Sequence, residues 1–332
     1  MTPEERLREF LEKAPDSDLA SAKVEKLAGD ASNRLYFRIQ PRRGPSKIVA
    51  LLPAAFEGTD LPFLEVSEVL DAIPLRVPRV HEVAPDLGIL LLEDLGDVLL
   101  QDAVENGCPG RRKRELYREA VAMIGKLQSR GRELGVGRFA SFGPFAIAFD
   151  EKKFFDELSF FRRHFVEGFS ARTLSEADSK DLEAEFHRLA SELSSQPYAL
   201  CHRDFHSRNL LVFDGGLAVI DYQDARMGPR CYDLASLLND SYVAHEAELV
   251  SEMKDFFSDA TGADTASEYD VAALQRNLKA LGTFGYQIAS RRNDVFRRYI
   301  GHTLALVRAN LEANPRWDRL RWTLGRLLPE LT

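Results

Sequence analysis

The chain has 332 residues, of which 45% are hydrophobic and 29% are charged, and its formal net charge is −8. This composition is typical of a globular protein with room for two compact lobes, and the negative charge argues against a broad nucleic-acid-binding surface. No run of about 18 or more apolar residues occurs, so the sequence predicts no membrane span. Residues 1–10 lack the apolar core of a signal peptide, and we therefore expect a cytoplasmic protein.

The first hundred residues read as strands joined by turns, with a helix at 3–14 and another at 62–72. The predicted strands are 22–27, 35–39, 47–52, 80–83 and 88–92. The last of them is a continuous apolar run, as expected of a buried strand, and it ends at Glu93-Asp94-Leu95-Gly96. A strand that ends in polar residues and glycine indicates a hinge, so we expect one lobe at 1–95 and a second at 96–332.

Helical spacing dominates the rest of the chain. The predicted helices are 112–130, 152–169, 175–194, 232–239, 243–260, 267–290, 294–312 and 316–328. A glycine-rich loop is predicted at 131–144. The pattern favours an α+β fold, in which an antiparallel sheet with a helix precedes a mostly helical lobe.

The central stretch of the chain carries the strongest chemical signal. It contains His202-Arg203-Asp204 followed five residues later by Asn209, and Asp221 directly follows an apolar strand at 217–220. In kinases the same spacing places a base and a magnesium ligand on one loop. Asp204 is a candidate base, while Asn209 and Asp221 offer the hard oxygen ligands that magnesium prefers.

Other polar residues of this stretch are weaker candidates. Asp224 is suited to a second metal or its water, and His206 and Arg208 to a phosphate or the substrate, but a structural role fits each of them as well. His202 and Arg203 are expected to brace the loop. Asp233, which begins an apolar helix, is interpreted as a helix cap or loop anchor.

These segments resemble the aminoglycoside phosphotransferase and choline kinase superfamily, which has a protein-kinase-like two-lobe fold. Residues 29–38, 90–96, 202–210, 220–225, 228–237 and 275–284 carry the likeness. Within the superfamily the sequence is most similar to the bacterial anomeric kinases of cell-wall recycling, which phosphorylate N-acetylmuramate and N-acetylglucosamine at the C1 hydroxyl.

The resemblance implies a role for each matching position. Asp204 would be the catalytic base, and Asn209 and Asp221 would bind Mg²⁺. Main-chain groups of Glu93 and Leu95 would meet the adenine of ATP. A turn would cover the ATP phosphates, through Gly29, Ala31, Ser32 and Asn33.

One departure from the superfamily concerns the third strand. Many members carry a lysine inside this strand, paired with a glutamate from a helix, whereas here the only lysine is Lys47 at its start. Arg38, on the neighbouring strand, is the candidate substitute. This departure affects the group of residues that would bind the triphosphate of ATP.

The leading hypothesis is an ATP- and Mg²⁺-dependent kinase of an amino sugar, with no nucleic acid, membrane or obligate protein partner. Positive charge at Arg276 and Lys279 suits an acidic sugar, although a solvated helix face explains it equally well. The alternatives are a kinase of another small hydroxylated molecule, such as an aminoglycoside or choline, and a nucleotide-binding pseudokinase. Direct measurement of phosphate transfer separates an enzyme from a pseudokinase.

Overall fold

A computed structural model describes residues 1–13, 17–27, 34–57 and 61–332. Its first part is a five-stranded antiparallel sheet in the order β1-β2-β3-β5-β4, and the five predicted strands are confirmed. The elements are α1 (Pro3–Lys13), α2 (Ser17–Ala20), β1 (Lys23–Lys26), β2 (Leu35–Gln40), β3 (Lys47–Leu51), α3 (Pro62–Ala72), β4 (Val80–Ala84) and β5 (Ile89–Glu93).

The apolar run of β5 is explained by burial on both faces. Ile89 and Leu91 pack in one hydrophobic cluster with residues of α1, while Leu90 and Leu92 belong to a second cluster that includes α3 and the helical lobe. Successive side chains of a strand point to opposite faces, so a strand between two helical layers has no solvated side.

The second part is mostly helical, as predicted, and its ten helices in the described range are joined by four short strands. The helices are α4 (Leu100–Glu105), α5 (Gly110–Leu134), α6 (Gly143–Ala146), α7 (Glu151–Phe161), α8 (Glu176–Ser194), α9 (Tyr232–Leu238), α10 (Ala247–Thr261), α11 (Thr265–Ala289), α12 (Arg297–Ala313) and α13 (Asp318–Leu327). The strands are β6 (Tyr198–Cys201), β7 (Leu210–Phe213), β8 (Gly216–Val219) and β9 (Arg226–Pro229), with β6 paired to β9 and β7 to β8.

The prediction of a loop at 131–144 is wrong at both ends of the segment. Helix α5 continues through Gly131 to Leu134, and α6 begins at Gly143. Gly131 lies where α5 crosses β6, and a Cβ atom there would lie 2.8 Å from Cβ of Leu200. This glycine therefore permits close packing and does not end the helix.

Helix α11 crosses the middle of the helical lobe and packs against α7, α9 and α12. Its Gly282 allows close approach of α7, since a Cβ atom there would lie 2.8 Å from Cα of Phe161. Beyond that point α7 continues as a π-helix at Arg162–Phe169. No helix in the described ranges is long and apolar enough to cross a membrane.

Candidate active site

A cleft of about 930 Å³ lies between the sheet and the helical lobe. Asp204, Asn209 and Asp221 all line this cleft. A group of apolar side chains also lines it and is called the apolar slot: Leu27, Ile48, Leu92, Leu95, Leu211 and Ile220. Ile48 and Leu92 come from the sheet, and Leu211 and Ile220 come from β7 and the residue after β8, so the slot suits a flat heterocyclic ring.

Asp233 anchors the loop that carries Asp204. The carboxylate of Asp233 is fully buried and accepts hydrogen bonds from the main-chain N–H groups of His202 at 2.6 Å and Arg203 at 2.9 Å. Burial raises the pKa of Asp233 above its ordinary value. Of the two roles predicted for Asp233, the structure shows the loop anchor.

His202 and Arg203 brace the loop, as expected. Nε2 of His202 lies 3.0 Å from the carbonyl oxygen of Ile220, the residue before Asp221. The backbone of Arg203 has a positive φ of 85°, which is strained for a residue with a side chain, and its bond to Asp233 helps to hold it there.

Asn209 joins the loop to the end of β8. Its Nδ2 donates to the carbonyl oxygen of Asp204 at 2.8 Å, and its own carbonyl accepts from the N–H of Ile220 at 3.0 Å. Because Nδ2 is used in this way, the amide oxygen is the atom that Asn209 offers to the cleft. Asp221 also has a positive φ, 61°, and its Oδ1 accepts a 2.9 Å bond from Gln223.

The donor set of Asn209 and Asp221 fits magnesium. Both supply hard oxygens, and Mg²⁺ is usually held by one or two protein ligands together with substrate phosphates and water. In the described ranges no group of three or more His, Cys, Asp or Glu side chains forms a complete metal cage. The residues present therefore suit a metal that arrives with a phosphorylated ligand.

Three cations surround the carboxylate of Asp204, whose side chain is 28% exposed. Lys279 Nζ lies 2.9 Å and Arg276 Nη2 3.4 Å from Oδ1, while Arg203 Nε lies 3.9 Å from Oδ2. Burial alone would raise the pKa of Asp204, but the charges of Lys279, Arg276 and Arg203 outweigh it and hold the pKa well below its ordinary range. Asp204 is thus ionised, so its carboxylate can accept a hydrogen bond from a hydroxyl group and orient it.

His206, Arg208 and Asp224 also line the cleft. The ring of His206 packs edge-on against Tyr242, with centroids 5.2 Å apart, and burial lowers the pKa of His206 to about 3, so this imidazole is neutral. The guanidinium of Arg208 lies over the ring of Tyr242, 4.8 Å from its centroid.

Asp224 is held between two arginines. Its carboxylate lies 3.0 Å from Arg203 Nη1 and 3.2 Å from Arg226 Nη2. The hydrogen bonds and ion pairs of Asp224 therefore belong to the loop scaffold, while its side chain remains 47% exposed at the cleft.

Arg38 reaches the hinge from β2. Its guanidinium binds Asp94, with Nε 2.6 Å from Oδ2, and also Asp97, with Nη2 2.7 Å from Oδ1. In α3, Glu65 accepts a 2.8 Å bond from the N–H of Gly143, and Glu68 lies 3.4 Å from Arg138. Both of these α3 glutamates therefore face the helical lobe, and within the described residues neither is paired with a strand lysine.

The hinge residues Glu93 and Leu95 line the cleft, as their predicted contact with adenine requires. The predicted phosphate-covering residues Gly29, Ala31, Ser32 and Asn33 lie outside the described residues. Arg34, directly after them, donates a 2.9 Å bond from Nη1 to Oε1 of Gln223.

Two further residues of the site were not found from the sequence. Gln223 connects Arg34 to Asp221 by hydrogen bonds. It lies in the motif at 220–225, of which only the two aspartates were predicted as site residues. Glu157 is a buried carboxylate of α7 that accepts a 2.9 Å bond from Gln275 and lies 3.6 Å from Arg203. Glu157 could have been predicted as a special position, because it is an acidic residue on the apolar side of an aromatic helix.

Protein-kinase-like phosphotransferases have a sheet lobe and a helical lobe, and their His-Arg-Asp loop faces the cleft between the two lobes. This protein has the same arrangement. Comparison with known proteins agrees with this class. The chain belongs to the phosphotransferase enzyme family (APH), whose model matches residues 23–274.

Individual relatives cover most of the chain. A Neisseria meningitidis protein named N-acetylmuramate/N-acetylglucosamine kinase is 29% identical over 291 residues, which are 85% of this chain and 83% of that protein. A Pseudomonas aeruginosa protein of the same name is 29% identical over 329 residues, covering 95% and 90%. A solved choline/ethanolamine kinase family protein from Mesorhizobium loti has the same fold, with a TM-score of 0.61, 18% identity and coverage of 98% and 99%.

Proposed function

We propose that the protein is an ATP- and magnesium-dependent kinase that phosphorylates the anomeric hydroxyl of N-acetylmuramate, N-acetylglucosamine or both. The observation that carries this proposal is that Asp204, Asn209 and Asp221 line one interlobe cleft, where Asn209 is hydrogen-bonded to the main chain of Asp204 and of Ile220. The two relatives named for these sugars support the choice of acceptor, since they are similar over most of the chain.

ATP would bind with its adenine in the apolar slot, at the boundary between lobes 1–95 and 96–332. The N–H of Glu93 already donates to the carbonyl of Arg79 at 2.8 Å, so Glu93 would present its carbonyl to the adenine amino group. Leu95 would supply a main-chain N–H. The turn with Gly29, Ala31, Ser32 and Asn33 would then cover the phosphates with its N–H groups.

The oxygens of Asn209 and Asp221 would hold Mg²⁺, which, when bound, neutralises charge on the phosphates. Asp221 is already oriented for this by Gln223, which occupies one of its two carboxylate oxygens. Asn209 is oriented by its bond to the Asp204 carbonyl, which also fixes the distance between the metal site and the base.

The chemical step follows from the state of Asp204. Its carboxylate accepts the proton of the acceptor hydroxyl, while the acceptor oxygen forms a bond to the γ-phosphorus. The bond from that phosphorus to the β–γ bridging oxygen breaks, and its electron pair leaves with ADP. Since Asp204 is ionised and held on an anchored loop, it orients the hydroxyl for in-line attack.

The acceptor would occupy the cleft beyond Asp204, where His206, Arg208, Asp224 and Arg276 lie. Arg276 and Lys279 lie beside Asp204, and their charges are compatible with a neutral or an acidic sugar. Asp224 and Asp240 also line the cleft, so the choice of acceptor rests on the named relatives rather than on the charge of the cleft.

The proposal is tested by a coupled assay of ADP release with N-acetylmuramate, N-acetylglucosamine, choline and an aminoglycoside. We expect turnover with at least one of the two amino sugars and none with the cationic compounds. ADP binding without turnover of either sugar would overturn the acceptor assignment. The matched control is Asp204→Asn, which removes the base and keeps the size of the side chain.

A further inference from the structure

The positive charges of the cleft are unevenly distributed. In the part of the chain that the structure describes, the basic residues lining the cleft are Arg38, Arg203, Arg208, Arg276 and Lys279. Arg38, the one that comes from the sheet lobe, is bound to Asp94 and Asp97 at the hinge. Near Asp204 the cations therefore come from the helical lobe.

Arg203 and Arg276 are held in place by several partners. Arg203 lies between Glu157 and Asp224, at 3.6 and 3.0 Å. Arg276 donates to the carbonyl of Arg203, and its guanidinium lies over the ring of Tyr232, 4.8 Å from the centroid. Both guanidinium groups are thus part of the scaffold that fixes the loop.

Lys279 differs from these arginines. Across the described ranges, its single hydrogen-bond acceptor is Oδ1 of Asp204, at 2.9 Å. An ammonium group has three donors, and two of them remain for a ligand in the cleft that Lys279 lines. A lysine is also a compact charge on a flexible stem, so it can follow a group that moves during the reaction.

We propose that Lys279 is a catalytic residue that places its ammonium on the phosphoryl group during transfer, so that this positive charge comes from α11 and not from the sheet. This proposal rests on the proposed function, because it presupposes transfer of phosphate to a hydroxyl oriented by Asp204. The attacking oxygen lies between the base and phosphorus, so an ammonium 2.9 Å from the base carboxylate can also reach an equatorial phosphoryl oxygen.

The arrangement favours the transition state over the resting state. Before the reaction the ammonium is attracted mainly to the Asp204 carboxylate. As the acceptor proton moves to Asp204, that carboxylate loses its charge and the attraction weakens. The ammonium then interacts more strongly with the phosphoryl oxygens, at the stage when charge is spread over them.

The first test is kinetic and uses Lys279→Met, which keeps the length of the side chain and removes its charge. With both N-acetylmuramate and N-acetylglucosamine we expect kcat to fall about 10²–10³-fold, with KM for either sugar within a few-fold of wild type. Lys279→Arg should recover part of the loss. The control is Lys254→Met on α10, a lysine outside the cleft that should leave kcat unchanged.

The pattern of loss decides between two roles for Lys279. A rise in KM for N-acetylmuramate alone, with N-acetylglucosamine unaffected, would overturn the proposal and make Lys279 a ligand of the acceptor carboxylate. Unchanged kcat with both sugars would also overturn it.

The second test does not depend on the acceptor. ADP with aluminium fluoride and Mg²⁺ mimics a phosphoryl group in transfer, and calorimetry measures its binding against that of ADP and Mg²⁺ alone. We expect Lys279→Met to weaken the fluoride complex about 100-fold and ADP binding by less than about 3-fold. Equal effects on both complexes would overturn the proposal. If wild type phosphorylates neither sugar, the sugar assignment fails while this experiment still decides the role of Lys279.

Discussion

The main-chain N–H of Arg203 donates a 2.9 Å hydrogen bond to the buried carboxylate of Asp233. The two residues are 30 positions apart, and the bond holds Arg203 at a positive φ just before Asp204, the proposed base. Positive φ at a residue with a side chain costs free energy, so the position of Asp204 depends on an anchor outside the loop.

Asp233→Ala should therefore reduce both stability and activity. The substitution leaves the N–H groups of His202 and Arg203 without an acceptor, and we expect the free energy of unfolding to fall by about 2–4 kcal/mol. Urea unfolding measures this change. Asp259→Ala, at an exposed position of α10, should change stability by less than about 0.5 kcal/mol. Equal stability of the two variants would contradict the anchoring role.

Asp204→Asn should lower kcat by about 10²–10⁴-fold, because the amide cannot accept the acceptor proton. Binding of ADP and Mg²⁺, measured by calorimetry, should remain close to wild type, since the substitution preserves shape at this position. A rate near that of wild type would remove Asp204 from the mechanism.

Gln223→Leu should raise the magnesium concentration needed for half-maximal activity several-fold. The side chain of Gln223 forms two 2.9 Å hydrogen bonds, one with Arg34, the residue before β2, and one with Asp221. Loss of this side chain therefore leaves the Asp221 carboxylate free to rotate. Binding of Mn²⁺ with ADP, followed by electron paramagnetic resonance, gives the same comparison without turnover.

Arg34→Met supplies a double-mutant cycle for this bridge. If Arg34 acts on the metal site through Gln223, the two substitutions together should weaken Mn²⁺ binding by less than the sum of their separate effects. Gln40→Leu, at the exposed end of β2, is the control. Additive effects would show that the bridge does not connect the lobes energetically.

Stability should fall on acidification partly because of His245. Burial, together with the nearby charge of Lys113, lowers the pKa of His245 from 6.5 to about 4. The unfolded chain then binds the proton more readily than the folded protein, so stability contributed by the neutral ring is present above pH 6.5 and is lost as the pH falls towards 4.

From these two pKa values, the loss between pH 7.5 and pH 5 is up to about 2 kcal/mol for this residue. His245→Gln should show a smaller decrease than wild type over the same interval, as measured by urea unfolding at each pH. The same decrease in both proteins would contradict a neutral buried imidazole.

The sequence correctly predicts those features whose pattern lies in residues that are neighbours in the chain. The five-residue spacing of Asp204 and Asn209 located the loop, and the apolar run before Glu93 located a buried strand. Both depend on residues that are close in the chain, whose relative positions follow from a turn or a strand.

Contacts between distant elements were not predictable in the same way. Lys279 and Asp204 are 75 residues apart, and Arg34 and Gln223 are 189 apart, so their meeting depends on how α11 and β2 pack in three dimensions. Periodicity gives the buried face of a helix but not the loop that this face touches. Gly131 shows the same limit, because only the proximity of β6 explains a glycine inside a helix.

In the proposed reaction, Asp204 activates the anomeric hydroxyl of an amino sugar for attack on ATP. Phosphorus NMR of the product from N-acetylmuramate or N-acetylglucosamine, with ATP and Mg²⁺, shows which hydroxyl receives the phosphate. We predict a sugar phosphate whose phosphorus couples to the anomeric proton, formed far more slowly by Asp204→Asn than by wild type. A phosphate on another hydroxyl, or no phosphorylated sugar from a protein that binds ADP, would contradict this reaction.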